Sequence, residues 1–282
     1  MKEWPVFIPH RRERLGGVIT LGDDDATRGV VLLITGLGAP RSHQHRLWTT
    51  LARRLAAHRL ATIRFDYLGM GDSTSFMLDD GPLDRGSLVD QARSALSTAV
   101  RGTRNQRIAV VGNCVGARAA LEVAAGARDC VGAVCILPAL APPGFSARAG
   151  SRLANTRLGS ALLRSGTARR MIRTAGPGLG DPIDADLLRV LPAALRHGRV
   201  LFLYGERDRR TEPARAAVER SLAKSPVAER ARCEFRSVPD ISLEGFDQPE
   251  SRSSTMGAVE SFLVERFDEA DSRGRAKSAI TF

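Results

Sequence analysis

The chain has 282 residues, 43% of them apolar, enough for a sizeable core in one α/β domain carrying an insertion. Its net charge of +11 raises nucleic acid as a partner, but aromatics are only 5%. No arginine-aromatic interleaving, zinc finger or RNP-like strand supports that reading, so the excess charge, almost all arginine, reads as spread over solvated faces. No apolar run approaches the roughly 18 residues of a membrane span, and the first residues, "MKEWPVFIPHRRERLGG", lack a signal-peptide core. A cytoplasmic protein with neither membrane nor nucleic-acid partners is expected.

Segments near 4–8 and 16–21 read as strands of a hairpin. "GVVLLITG" (29–36) is a continuous β-branched run closed by glycine, the pattern of a strand buried on both faces of a parallel sheet. "HRLWTTLARRLAAHRL" follows with Leu47, Leu51 and Leu55 at helical spacing. "ATIRFDYLGMGDS" supplies a strand and a glycine-rich turn, "LVDQARSALSTAVRG" a helix, and "RIAVVGN" (107–113) another strand. A Gly-x-Cys-x-Gly turn (112–116) then opens an alanine-rich helix. "GAVCILPAL" (132–140), "RVLFLYGERD" (199–208) and "ARCEFRSVPD" read as the remaining strands, and 253–267 as a last helix. Alternation of strand and helix predicts a doubly wound, mostly parallel α/β sheet.

The expected core covers 1–140 and 199–267. Residues 141–198 are too many for a simple crossover and are broken by proline and glycine, which predicts a helical lid. From Phe145 to Ala175 this segment carries seven arginines and no acid, either a solvated face or a basic rim for an anionic or carrier-bound acyl substrate. The polar tail 268–282 has no apolar stripe and is expected to be disordered. Four cysteines (114, 130, 135 and 233) lack ligand spacing, so free thiols and no metal are expected. Neither a Gly-x-Gly-x-x-Gly nor a P-loop lysine follows the first buried strand, so no nucleotide cofactor is expected.

"RSHQHRLWTTLARRLA" (41–56), "RFDYLGMGDS" (64–73) and "GNCVG" (112–116), in this order and spacing, resemble the α/β-hydrolase superfamily, in particular the small hydrolases associated with exosortase systems. The resemblance implies an α/β-hydrolase fold in which Cys114 stands on a strained nucleophile elbow, with the following helix favouring its thiolate. It further implies an oxyanion hole from the backbone N–H groups of Leu37 and Val115, and a pocket near His43, Gly36, Asn113 and Arg118. Asp208, at the end of its strand, takes the place of the triad acid, with Glu206 as a nearby substitute.

The departure from that pattern is the histidine. The loop after the last strand, "VPDISLEGFDQPESRS", has none, and the five histidines lie at 10, 43, 45, 58 and 197. His45, and its neighbour His43, sit in the loop beside the expected oxyanion hole, so His45 is the candidate replacement base. Three readings stay open. Cys114 carries acyl chemistry on a thioester or ester; the pocket serves non-hydrolytic cyclase or lyase chemistry in specialised metabolism; or the protein is an inactive relative that binds a ligand.

Overall fold

The computed structural model describes residues 1–23, 27–36, 39–74, 85–138, 185–208, 210–239, 241, 246 and 248–279. Among them, eight strands form one sheet: β1 (Lys2–His10), β2 (Glu13–Leu21), β3 (Gly29–Ile34), β4 (Leu60–Phe65), β5 (Ile108–Asn113), β6 (Cys130–Ile136), β7 (Arg199–Gly205) and β8 (Cys233–Val238). Their order is β1-β2-β4-β3-β5-β6-β7-β8; β2 pairs antiparallel with β1 and β4, and every later pairing is parallel. The chain thus builds the predicted α/β-hydrolase architecture.

β3, β4 and β5 are buried at every position, as their unbroken apolar runs require of strands covered on both faces. On one face lie α1 (Leu47–Ala57) and α7 (Pro249–Ala279). α2 (Arg85–Thr103), α3 (Val115–Ala125) and α4 (Ala185–His197) cover the other. α5 (Thr211–Leu222) and the short α6 (Val227–Arg230) pack beside α4. Leu51 and Leu55 of α1, and Phe262 and Phe267 of α7, are fully buried, each contributing roughly 1.5–3 kcal/mol by removing its apolar surface from water.

Two boundaries differ from expectation. α4 falls inside the expected lid span, yet it packs on α3 with Leu191 and Leu195 fully buried, so its residues extend the core; the other lid residues, 141–184, lie outside the described set. The tail after Phe267, expected to be disordered, continues α7 to Ala279. Charge holds its first turns in place of an apolar stripe: Asp268 and Asp271 pair with Arg28, Asp271 also with Arg107, and Glu269 lies 3.9 Å from Arg199.

Candidate active site

The site is built on the carboxyl edge of the sheet, where β3, β5 and β7 end. Cys114 has φ 54° and ψ −121°, a sparsely populated conformation for a residue with a side chain, which costs about 1–3 kcal/mol. Its N–H donates to the Ile136 carbonyl at 2.9 Å, holding the turn against β6. The flanking glycines are steric requirements. A Cβ at Gly112 would overlap the Gly116 carbonyl oxygen, and one at Gly116 would stand 2.5 Å from the carbonyl oxygen of Thr35. This is a strained strand-to-helix elbow, with the first N–H of α3, from Val115, turned toward the Cys114 sulfur.

The thiol itself differs from expectation. Burial pushes the Cys114 pKa up, and the Val115 N–H and the positive charge of Arg210 offset this only in part. The resting group is therefore a thiol at neutral pH; the field of the helix end is outweighed by desolvation.

Asp208 stands where the sequence puts it, just past β7, with its side chain only 7% exposed. Its carboxylate is taken by a residue that sequence reasoning missed. Arg210 donates to Asp208 Oδ1 from its backbone N–H at 2.9 Å and from Nε at 2.8 Å, and its Nη2 pairs with Oδ2. Asp208 thus orients an arginine, and that arginine's charge reaches Cys114. Its Nη1 is buried with no hydrogen-bond partner among the described residues. The signal was local: an arginine two residues after an aspartate at a strand end folds back onto it. Glu206 is exposed.

Neither histidine stands as the expected base. His45 is exposed on a short 3-10 turn (44–46), so the side chain proposed as replacement base stands in solvent. His43 is buried at 6% exposure, with its ring 5.4 Å from Trp48 and 5.3 Å from Phe246. Left-handed backbone at His43, His45 and Arg46 turns the former inward and the latter two outward. Phe246 comes from the loop after β8, where the resemblance places the triad histidine.

A hydrogen-bond chain fixes the protonation of His43. The Gly36 N–H donates to Asn113 Oδ1 at 3.0 Å, so the Asn113 amide nitrogen is the donor to His43 Nε2 at 2.9 Å. The neutral imidazole then carries its proton on Nδ1. Nδ1 is buried beside the Gln44 backbone without a hydrogen bond of good geometry. Burial pulls the His43 pKa down to about 4, with the Gln44 backbone opposing. His43, Gly36 and Asn113 are therefore brought together, but as a brace under the elbow; with Nε2 committed to Asn113, His43 is not placed as a base for Cys114. Arg118 is half-buried one turn into α3. Leu37 lies outside the described residues.

The "RFDYLGMGDS" segment works as scaffold. Asp66 is fully buried and accepts from the Arg41 N–H at 2.7 Å while pairing with the Arg41 guanidinium, which also reaches Asp72 at 2.6 Å. Gly71, at φ 52°, is the glycine this requires, because a Cβ there would overlap the Asp66 carboxylate. The result clamps residue 41, two positions before His43, and so positions the loop that ends β3.

The four cysteines are free thiols. Among the described residues no group of three or more His, Cys, Asp or Glu side chains gathers as a metal site, and no helix is long and apolar enough to cross a membrane.

A family model described as "Alpha/beta hydrolase family" matches residues 31–245. Among solved structures, the Pyrococcus furiosus esterase Pf2001 superposes with a TM-score of 0.65 at 14% identity, over 94% of this chain and 91% of that one. Est1E from Butyrivibrio proteoclasticus, solved with ferulic acid, gives 0.63 at 15% identity, over 93% and 99%. The α/β hydrolase GrgF from Penicillium gives 0.62 at 16% identity, over 95% and 97%. No curated protein matches the chain in sequence.

Proposed function

The chain belongs to the α/β-hydrolase family, and we propose that within it this protein is a cofactor-independent enzyme for activated acyl groups, thioesters before esters, with Cys114 as nucleophile. The observation that carries this reading is the elbow: a cysteine in strained backbone, at the start of a helix, with the Val115 N–H turned to its sulfur. Val115 then supplies one oxyanion donor, and Leu37 is the expected second.

The preference for thioesters follows from the proton balance. No histidine is placed to take a proton from Cys114 and hand it to a leaving group. In thiol–thioester exchange, Sγ attacks the carbonyl carbon, the acyl C–S bond breaks, and the Cys114 proton ends on the departing thiolate. A thiol is exchanged for a thiol, so the leaving group needs no strong general acid. An alkoxide or an amide nitrogen leaves far less readily without one. Among the described residues no base is positioned for deacylation by water, which favours transfer to an acceptor that is a nucleophile in its own right. Arg210 contributes charge, favouring the thiolate as it forms.

Two observations favour a second reading. Because burial holds Cys114 as a thiol and His43 Nε2 is occupied, the pocket also suits cyclase or lyase chemistry, with Arg210 and Val115 stabilising an enolate and Cys114 remaining non-covalent. Intact-protein mass spectrometry after incubation with a panel of acyl-thioesters separates the two. An acyl increment in wild type that Cys114→Ala lacks supports the nucleophile. Absence of any adduct, from a thiol that a small alkylating reagent does reach, overturns it.

A further inference from the structure

The sheet ends in two edge strands, β1 and β8, and their outer sides differ. In the first hairpin the Asp66 N–H donates to the Gly16 carbonyl at 2.9 Å, so the even-numbered residues of β2 turn their backbone groups to β4 and the odd-numbered ones to β1. The register of β1 on β2 then leaves Glu3, Pro5, Phe7 and Pro9 facing outward. Two of these positions have no N–H to offer, which blunts that edge against another strand.

At β8 the Val200 N–H donates to the Arg232 carbonyl at 2.9 Å, and the Glu206 N–H to that of Val238 at 3.1 Å. In a parallel ladder this turns the backbone groups of 232, 234, 236 and 238 toward β7. The N–H and C=O groups of Cys233, Phe235 and Ser237 therefore point away from the sheet, with no hydrogen-bond partner among the described residues. No proline interrupts this strand.

The side chains of β8 place opposite charges on either side of an aromatic. The Phe235 ring stacks 5.0 Å from Phe202 and lies under the Arg215 guanidinium at 4.9 Å. Glu234 and Arg236 stand on the other face, 28% and 35% exposed and paired with each other at 2.9 Å. Glu234 also lies 3.6 Å from Arg199, and Arg236 lies over the Phe262 ring at 5.8 Å.

We propose that β8 pairs with β8 of a second copy of this chain, antiparallel about a two-fold axis at Phe235. In that register Phe235 opposes its own copy and Cys233 opposes Ser237 on either side, and each such pair exchanges both of its N–H···O=C bonds. Glu234 of each copy then stands across from Arg236 of the other. Sliding to the next registers that keep the outward groups paired sets Glu234 against Glu234, or Arg236 against Arg236, and like charges directly opposed are destabilising. The charges on this edge thus repel misaligned strands and accept one register. The contact is isologous, so it closes at a dimer. It is independent of the chemistry proposed at Cys114.

The test is the molar mass of the full chain by sedimentation velocity over a concentration series, with the folding of each variant checked by thermal unfolding. Wild type should shift reversibly from 30.4 kDa toward twice that mass. Ser237 is exposed, and Ser237→Pro removes an outward N–H while leaving the ladder to β7 intact; it should stay monomeric at every concentration. Glu234→Lys and Arg236→Glu should each be monomeric alone, because each sets like charges across the axis. An equimolar mixture of the two should dimerise, since every opposed pair in the mixed dimer is again of opposite sign. That mixture carries the test if Ser237→Pro does not fold. A wild type that stays at 30.4 kDa throughout, a dimer that survives Ser237→Pro, or a mixture that remains monomeric overturns the proposal.

Discussion

His43→Phe tests the brace beneath the elbow most directly. Phenylalanine keeps the ring contacts with Trp48 and Phe246 and removes both ring nitrogens. At neutral pH two effects oppose each other. The Asn113 amide donor loses its acceptor in a buried setting, costing about 1–3 kcal/mol, while the poorly satisfied Nδ1–H disappears, returning a similar amount. A net change near zero is therefore expected at about pH 7.5. Acid is where the variant departs. The folded pKa of His43 is about 4, against 6.5 ordinarily, so above pH 6.5 both folded and unfolded states are neutral there and the stability is fully present. Below it the unfolded chain takes up a proton that the folded one refuses. At about 1.4 kcal/mol per pH unit, this group withdraws about 3 kcal/mol by the time pH reaches 4. Urea unfolding by linear extrapolation at about pH 7.5 and about pH 4.5 measures it. The variant should lose about 2.5 kcal/mol less than wild type over that interval. A variant with the wild-type acid slope would show that His43 titrates normally and that burial does not hold it neutral.

Three further outcomes follow from the same geometry. Asp66→Ala leaves Arg41 without its buried partner and should lower stability by about 3–5 kcal/mol, read from the urea midpoint. An unchanged midpoint would remove the clamp from the account. Gly116→Ala places a Cβ 2.5 Å from backbone oxygen and should abolish soluble folded protein or cost at least about 3 kcal/mol, whereas Cys114→Ala should fold with nearly wild-type Tm. Alkylation of Cys114 by iodoacetamide should accelerate with pH through and beyond the ordinary thiol range, because burial raises its pKa, and Arg210→Met should move the inflection higher still. A plateau near neutrality would mean a resting thiolate.

What the sequence made legible was what is local. The elbow was readable because three conditions lie close together: a buried strand with glycine at 112, a cysteine at 114 just past its end, and a glycine at 116 that must pass under the Thr35 carbonyl. Asp208 was readable because it ends a strand. The histidines were not, since two candidates separated by one residue were distinguished only by left-handed backbone at 43, 45 and 46, a feature without a composition signature in a loop that holds no glycine at those positions. The extension of α7 was equally hidden, because Asp268 and Asp271 are held by Arg28 and Arg107, more than 160 residues away in sequence.

That division separates architecture from chemistry. The segments that carry the family resemblance, 41–56 and 64–73, converge on a single structural role. Asp66 clamps Arg41, the clamped loop delivers His43, His43 holds Asn113, and Asn113 holds the Gly36 N–H. A Cβ at Gly36 would stand only 3.3 Å from that of Cys114, so this chain of contacts sets the wall of the candidate nucleophile's pocket. None of its members need move a proton. The resemblance therefore reports how the elbow is held, and a chain can keep all of it while giving up the base. Arg210 sets this site apart from the pattern the resemblance implies: Asp208, expected there to orient a histidine, anchors a fixed positive charge. A fixed cation cannot shuttle protons but can favour an anion that forms beside it. It is this exchange of a proton carrier for a permanent charge that points the proposed chemistry toward thioesters and their acceptors and away from water.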